Sequence, residues 1–358
     1  MRNYIFLICL SVFSLLFMGC PEKTVFVDLN VYSISGTVSN SSSAALSGVK
    51  VYTSPATNTV YTDASGNYSI TSIAAGTYTV YAELTGYVNY SASVTVTQSQ
   101  AFTQNISMTL VALPVFVFVQ GGTYTMGSSS GDSDELPLHS VALSSYYITK
   151  TEVTQGQYKA VMGTNPSNFS SVGDNAPVEK VTWYDCISYC NKLSIQQGKT
   201  PCYSISGNTN PSSWTSGTIV CDFTAKGYRL ATEAEWEYAS IGGNKSAGNT
   251  YSGGITVDDV AWHTNNSGGT THMVGTKIAN ELGINDMSGN VWEWCWDWYS
   301  SYTSSTQTNP TGASSGSSRV LRGGSWNSYG SVCRSSNRNY GNPVNWYSEL
   351  GFRLVQGQ

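Results

Sequence analysis

The sequence predicts an α+β domain preceded by a smaller all-β sandwich. Three observations carry that expectation. From Val31 to about Leu110, runs such as GVKVYT, TVYTDASGNYSI and GTYTVYAEL place Val, Tyr, Thr and Ile at every second position, with Gly, Asn and Asp between the runs. That is the pattern of half-buried antiparallel strands joined by tight turns. Beyond Pro114 helix-start signals take over: Thr151 stands ahead of Val153, Tyr158, Val161 and Met162, and Thr232 and Glu235 form a capping box. Finally, Trp292, Trp294, Trp296 and Trp298 alternate strictly and so share one face of a strand, with Val291, Glu293, Cys295 and Asp297 on the other. At 358 residues the chain has room for both domains, the second with a sizeable core.

The elements follow in order. Arg2 precedes an almost wholly apolar run, Ile5 to Met18, too short for a comfortable spanning helix, and Gly19 stands just before Cys20. This resembles a bacterial lipoprotein signal over residues 1–20, with Cys20 as the lipidated N-terminus. Phe17 and Met18 depart from its usual Leu and small residue, and the alternative is an ordinary secretory signal. The resemblance implies a bacterial envelope protein held by lipid to a membrane, on the outer surface. Residues 21–30 are then a short tether. Charged residues make up 11% of the chain, the net charge is −5 and there is no basic run. Nucleic acid is excluded as a partner on that basis.

Residues 31–112 form the sandwich. Asp63-Ala-Ser-Gly-Asn67 is expected to be a hairpin turn with Gly66 at positive φ. The block SGTV…GVKVYT…TDASGNYSI…GTYTVYAELTGY resembles the carboxypeptidase-regulatory-like (Cna-B-type) immunoglobulin-like modules. Some such modules cross-link a first-strand Lys by an isopeptide bond. Here the strand carries Ser33, Ile34 and Ser35, so no bond is expected; Glu83 is then a surface charge and the module a spacer.

Residues 114–356 form the second domain. Val111 to Val119 leads into it as an apolar strand, and a second helix is expected over Trp183 to Gln197, with Cys186 and Cys190 one turn apart on a shared face. In order, the chain then carries GYRLATEAEWEYAS, GNVWEWCWDWY, RGGSW and LGFR. These motifs resemble the formylglycine-generating enzyme (sulfatase-modifying factor) family, which implies a C-type-lectin-like fold. Working members oxidise a substrate cysteine with copper held by two thiolates. The matching positions here are Ser328 and Cys333. Serine is a poor ligand for Cu(I), so no copper and no formylglycine chemistry are expected. Iron chemistry, used by relatives of the same fold, would need clustered histidines, whereas His139, His263 and His272 lie far apart. Ser325 in RGGSW has no His near it in sequence to activate it; the resemblance makes it a cavity-lining residue.

The same resemblance implies structural Ca²⁺, with Asp286 and Glu293 as side-chain ligands and Gly289 and Val291 as backbone ligands; hard oxygen donors of this kind suit that ion. After Cys9 and Cys20, six cysteines remain, an even number that favours disulfides in an exported protein. Fifteen pairings are open, and Cys295 with Cys333 is favoured because both lie in the C-terminal motif block.

Between RGGSW and LGFR, Asn, Ser, Tyr and Gly alternate with family-typical residues. These four are neighbours through changes at the adenines of an Asn codon. The segment resembles the variable region of diversity-generating-retroelement target proteins, which place it on this same fold, often on a lipoprotein. A ligand surface is therefore expected from Asn327, Ser328, Tyr329, Ser331, Tyr340, Asn342, Asn345, Trp346, Tyr347 and Ser348. Tyr supplies broad amphipathic contact at low entropy cost, and Ser, Gly and Asn adaptable hydrogen bonds. The expected partner is a protein or glycan ligand. The alternatives are a copper oxidase of protein cysteines and a purely structural envelope protein.

Overall fold

A computed structural model describes residues 32–84, 86–97, 102–110, 113–214 and 217–358. The signal segment, Cys20 and the 21–30 tether lie outside the described residues. Among the described residues no helix is long and apolar enough to cross a membrane.

Among the described residues, eight strands build the first domain: β1 (Tyr32–Asn40), β2 (Lys50–Ser54), β3 (Val60–Tyr61), β4 (Asn67–Ile73), β5 (Gly76–Glu83), β6 (Tyr90–Val96), β7 (Phe102–Thr103) and β8 (Ile106–Met108). One sheet has the order β4-β1-β7, with β8 also on β1; the other runs β3-β2-β5-β6. The alternation seen in sequence becomes burial. In β4 Tyr68 and Ile70 point inward between exposed neighbours, and they join Ile34, Val38, Val51, Val80 and Val94 in one apolar core. The 63–67 turn forms as expected: Asp63 Oδ1 accepts from the Ser65 and Asn67 N–H groups at 2.8 Å, and Gly66 has φ +78°. Glu83 is less solitary than a surface charge. It sits opposite Lys50 in the β2–β5 register, 3.2 Å from Nζ, and accepts from the Tyr52 hydroxyl at 2.7 Å.

The second domain begins with β9 (Phe116–Val119), β10 (Gly122–Met126), β11 (His139–Leu143) and β12 (Tyr146–Thr149). Helix α1 (Gln155–Met162) is capped by Thr154, not Thr151, in a reciprocal box with Gln157. The helix starts late because the backbone just before it is engaged elsewhere, the Val153 N–H donating to Phe352 O at 2.9 Å. Helix α2 (Trp183–Gln196) is capped by Thr182 and Asp185, and α3 (Glu233–Ser240) by the expected Thr232–Glu235 box. Strands β13 (Tyr203–Ile205), β14 (Ile219–Cys221) and β15 (Tyr228–Arg229) lie between α2 and α3, and the short α4 (Val257–Val260) follows. The chain then forms β16 (Trp292–Trp298), β17 (Gln307–Thr308), β18 (Arg319–Arg322), β19 (Arg338–Gly341), β20 (Leu350–Gly351) and β21 (Val355–Gly357).

The sheet β19-β18-β16-β20 positions the C-terminal segment. Its strand β16 is buried on both faces. Trp292 and Trp294 join the core around α2, and Cys295 joins the core around α3. Trp183 Nε1 donates to Cys295 O at 2.9 Å and Trp294 Nε1 to Val181 O at 3.0 Å, so two buried indoles hold α2 to the strand with their donors satisfied.

Candidate functional site

The family-typical residues of the C-terminal third are scaffold. Arg353 of LGFR is fully buried and grips Glu293 from both sides, Nε to Oε2 and Nη2 to Oε1, each at 2.7 Å. Arg338 makes the same fork on Glu233 at 2.6 and 2.8 Å. Arg322 lies between Glu233 and Glu237, and Arg334 pairs with Glu135. Burial alone would raise the Glu233 carboxyl, but Arg338 and Arg322 hold it below its usual value. Charge-assisted forks of this kind fix geometry. Here they pin α3, β16, β18 and β19 together beneath the segment that the sequence singles out.

Above that frame a cavity of about 550 Å³ opens between β18, β19 and the 342–349 loop. Asn327, Ser328, Tyr340, Asn342, Asn345 and Tyr347 all line it, together with Ser325. Tyr340 and Tyr347 are 55% and 56% exposed, and the Tyr340 ring leans on Tyr299 at 4.5 Å between centroids. The loop is ordered by its own polar groups: Asn342 Oδ1 accepts from the Val344 N–H at 3.2 Å, and Trp326 Nε1 donates to Ser348 O at 2.9 Å.

The other four expected ligand residues do not line the cavity. Tyr329 projects outward, 74% exposed, at the start of the 330–333 turn. Ser331 is exposed, and its carbonyl accepts from Arg334 Nε. Trp346 is 55% exposed with Lys180 Nζ over its ring at 4.9 Å. Ser348 contributes its carbonyl to Trp326. Sequence reasoning missed Asn339, Glu349, Trp292 and Leu321, which help to build the walls along with Ser318, Gly341 and Leu350. Position marks the first two, since both lie inside the segment between RGGSW and LGFR. Glu349 is the one charged group in the lining, and Asn327 Nδ2 reaches its Oε1 at 3.5 Å.

The residues tied to the family's chemistry are arranged differently. Cys333 is fully buried, outside the cavity, in an apolar cluster with Val260 and Ala261. Burial pushes its thiol up to about 12, so it is a neutral thiol at physiological pH. Gly324 makes that packing possible: it has φ +76°, and a Cβ there would stand 2.7 Å from Cys333 Sγ. Ser328 points instead to Ser325, with Oγ to Oγ at 3.1 Å and the Ser325 N–H donating at 3.0 Å. Among the described residues no histidine hydrogen-bonds to Ser325; its hydroxyl meets Ser328 Oγ and accepts from the Asn327 N–H at 3.3 Å. The expected Cys295–Cys333 disulfide is not formed. All six cysteines are free thiols, and these two lie in different apolar clusters, because nearness in a motif block does not bring side chains into one layer.

The four residues expected to hold calcium do not fit as one ligand shell. Both oxygens of Glu293 are taken by Arg353, and Oε2 also accepts from Trp236 Nε1 at 2.7 Å. Asp286 Oδ2 accepts from the Gly275 N–H at 2.6 Å. Gly289 is drawn into a bridge with Trp262, and Val291 is fully buried. Beside Asp286 lies Glu152, whose carboxyl oxygens are buried without a hydrogen-bond partner. Burial, and then the neighbouring Asp286, pushes Glu152 well above the usual carboxylate range. Among the described residues no group of three or more His, Cys, Asp or Glu is placed to hold a metal.

The fold and site together define a C-type-lectin-like α+β domain with a wall of Tyr, Asn and Ser around its C-terminal cavity. Residues 94–358 match the sulfatase-modifying factor enzyme 1-like domain, and residues 33–109 match the carboxypeptidase regulatory-like domain. The chain belongs to the sulfatase-modifying factor family. It is similar to the chaperone protein LppX of Paenibacillus barcinonensis, 43% identical over 233 residues, covering 59% of this chain and 78% of that protein. It is also similar to the formylglycine-generating enzyme of Streptomyces coelicolor, 28% identical over 67% of this chain and 88% of the enzyme. Among solved structures, Treponema denticola variable protein 1 superposes with a TM-score of 0.63 at 38% identity, covering 68% of this chain and 95% of that one. A serine/threonine-protein kinase pkn1 of Chlamydia caviae is 34% identical, but the chain spans only 38% of its length.

Proposed function

We propose that this protein is a non-enzymatic binding protein of the bacterial envelope, whose second domain presents the 327–349 surface to a protein or glycan ligand. The observation that carries this reading is the cavity of about 550 Å³ walled by Tyr340, Tyr347, Asn327, Asn342 and Asn345 on a rigid, ion-paired frame. In this reading Tyr329 and Trp346, exposed outside the cavity, belong to the same ligand surface. Half-exposed tyrosines set among short amides and hydroxyls are the chemistry of adaptable recognition sites. The likeness to a variable protein and to a chaperone supports binding as the role. The neutral, buried Cys333 and the serine at 328 argue against copper-dependent oxidation. In this reading Cys20 is lipidated, the first domain is a spacer, and retroelement-type diversification acts on codons 327–349.

Two experiments test it. Replacing Tyr329, Tyr340 and Tyr347 with Ala together should abolish capture of the ligand while leaving the melting temperature unchanged. Full capture by that variant would exclude this surface. Sequencing codons 326–349 across isolates should show changes confined to adenine-templated positions; invariant codons would remove diversification and leave a receptor for one fixed ligand.

A further inference from the structure

Five arginines are buried among the described residues: Arg229, Arg319, Arg322, Arg338 and Arg353. Four of them are ion-paired with glutamates. Arg319, at the start of β18, has no carboxylate partner among the described residues. Its guanidinium carbon lies 3.5 Å from the Trp298 ring centroid, 3.8 Å from Trp183 and 4.9 Å from Trp296. Nη1 donates to the Trp296 carbonyl, while Nε is buried without a partner. Aromatic faces attract a cation, but they replace neither its lost hydration nor its hydrogen bonds.

A cavity of about 500 Å³ opens beside this guanidinium, and among the described residues Arg319 is the one charged residue in its lining. Its walls combine Ile219, Val220 and Phe223 with the hydroxyl of Thr311. The neighbouring carboxyl of Asp297 does not neutralise the arginine. Its Oδ2 accepts from the Glu233 N–H at 2.9 Å, and burial pushes the group up to about 8, so it is largely protonated at neutral pH.

We infer that this Trp-caged arginine forms a second binding site, separate from the C-terminal surface, for a small monocarboxylate with an apolar body. The carboxylate would approach the guanidinium from the cavity, with the Trp298 and Trp183 ring centroids standing 3.5 and 3.8 Å from its carbon, and the body would lie against Ile219, Val220 and Phe223. Charge balance selects the class. A single cation in a cavity without other charges matches one negative charge, whereas a phosphate dianion would leave one uncompensated.

Isothermal titration of the purified full chain with benzoate, inorganic phosphate and benzylamine tests the assignment. Benzoate should bind saturably at one site, with phosphate and benzylamine at least ten-fold weaker. Arg319→Met should remove benzoate binding. Should that variant not fold, Val220→Glu decides, because it sets a competing carboxylate on an exposed part of the same wall and should weaken benzoate at least ten-fold with an unchanged far-ultraviolet spectrum. Three outcomes overturn the site: no saturable benzoate binding, phosphate or benzylamine binding as tightly as benzoate, or full benzoate affinity in a folded Val220→Glu chain.

Discussion

Asp297 gives the sharpest test of the electrostatic frame. It is buried at the end of the Trp strand, with Glu233 beside it, and its carboxyl is pushed from 3.8 up to about 8, chiefly by burial and then by the Glu233 charge. The sign follows from linkage. In the unfolded chain the group loses its proton near pH 4, whereas the folded chain keeps it to about pH 8. Stability therefore falls as pH rises between those values and levels off above them. At about 1.4 kcal/mol per pH unit, the window is worth up to about 6 kcal/mol as an order-of-magnitude upper bound. Asp297→Asn keeps an acceptor for the Glu233 N–H and removes the titration. Thermal melts of both chains from pH 4.5 to 8.5 should show the variant gaining on the wild type as pH rises, by up to about 12 °C at about 2 °C per kcal/mol. A difference that stays constant across the window, or runs the other way, would refute a protonated Asp297.

Three further outcomes are expected. Arg353→Met leaves Glu293 buried beside Glu152 and Asp286 without its cation, and should cost about 3–5 kcal/mol in denaturant unfolding; a loss below about 1 kcal/mol would mean the fork is not formed. Because Glu293 is committed to Arg353, the melting temperature should be the same in millimolar Ca²⁺ and in EDTA, and a calcium-dependent rise of several degrees would reinstate calcium at this motif. Native Cys333, buried and neutral, should resist a thiol reagent at pH 8 and react on unfolding; rapid labelling of the folded chain at this residue would reopen the copper reading.

Parts of this architecture can be read from a few residues each. The Thr232–Glu235 box and the 63–67 turn are local signals, and their geometry follows from neighbours within five residues. The sequence points to Thr151 as the α1 cap, but Thr154, three residues later, caps it, because both threonines precede apolar helical spacing. Only the pairing of the Val153 N–H with distant Phe352 selects Thr154. The ligand surface was half legible. Codon-like composition picked out the segment, but which side chains turn into the cavity depends on the register of β19 against β18.

What the sequence determined by itself is the order of two domains, the short-range periodicity that makes their strands and helices, and the presence of serine at 328. Tertiary structure alone decided which charges meet. Glu293 is expected as a calcium ligand from the resemblance until Arg353, 60 positions later, closes on it. Glu233 meets Arg338 across 105 positions and Glu135 meets Arg334 across 199. Arg319 is left with tryptophans instead of a carboxylate. The reason is physical: periodicity and capping act within a turn or two of chain, whereas a buried charge finds its partner, or goes without one, only when topology brings remote strands together.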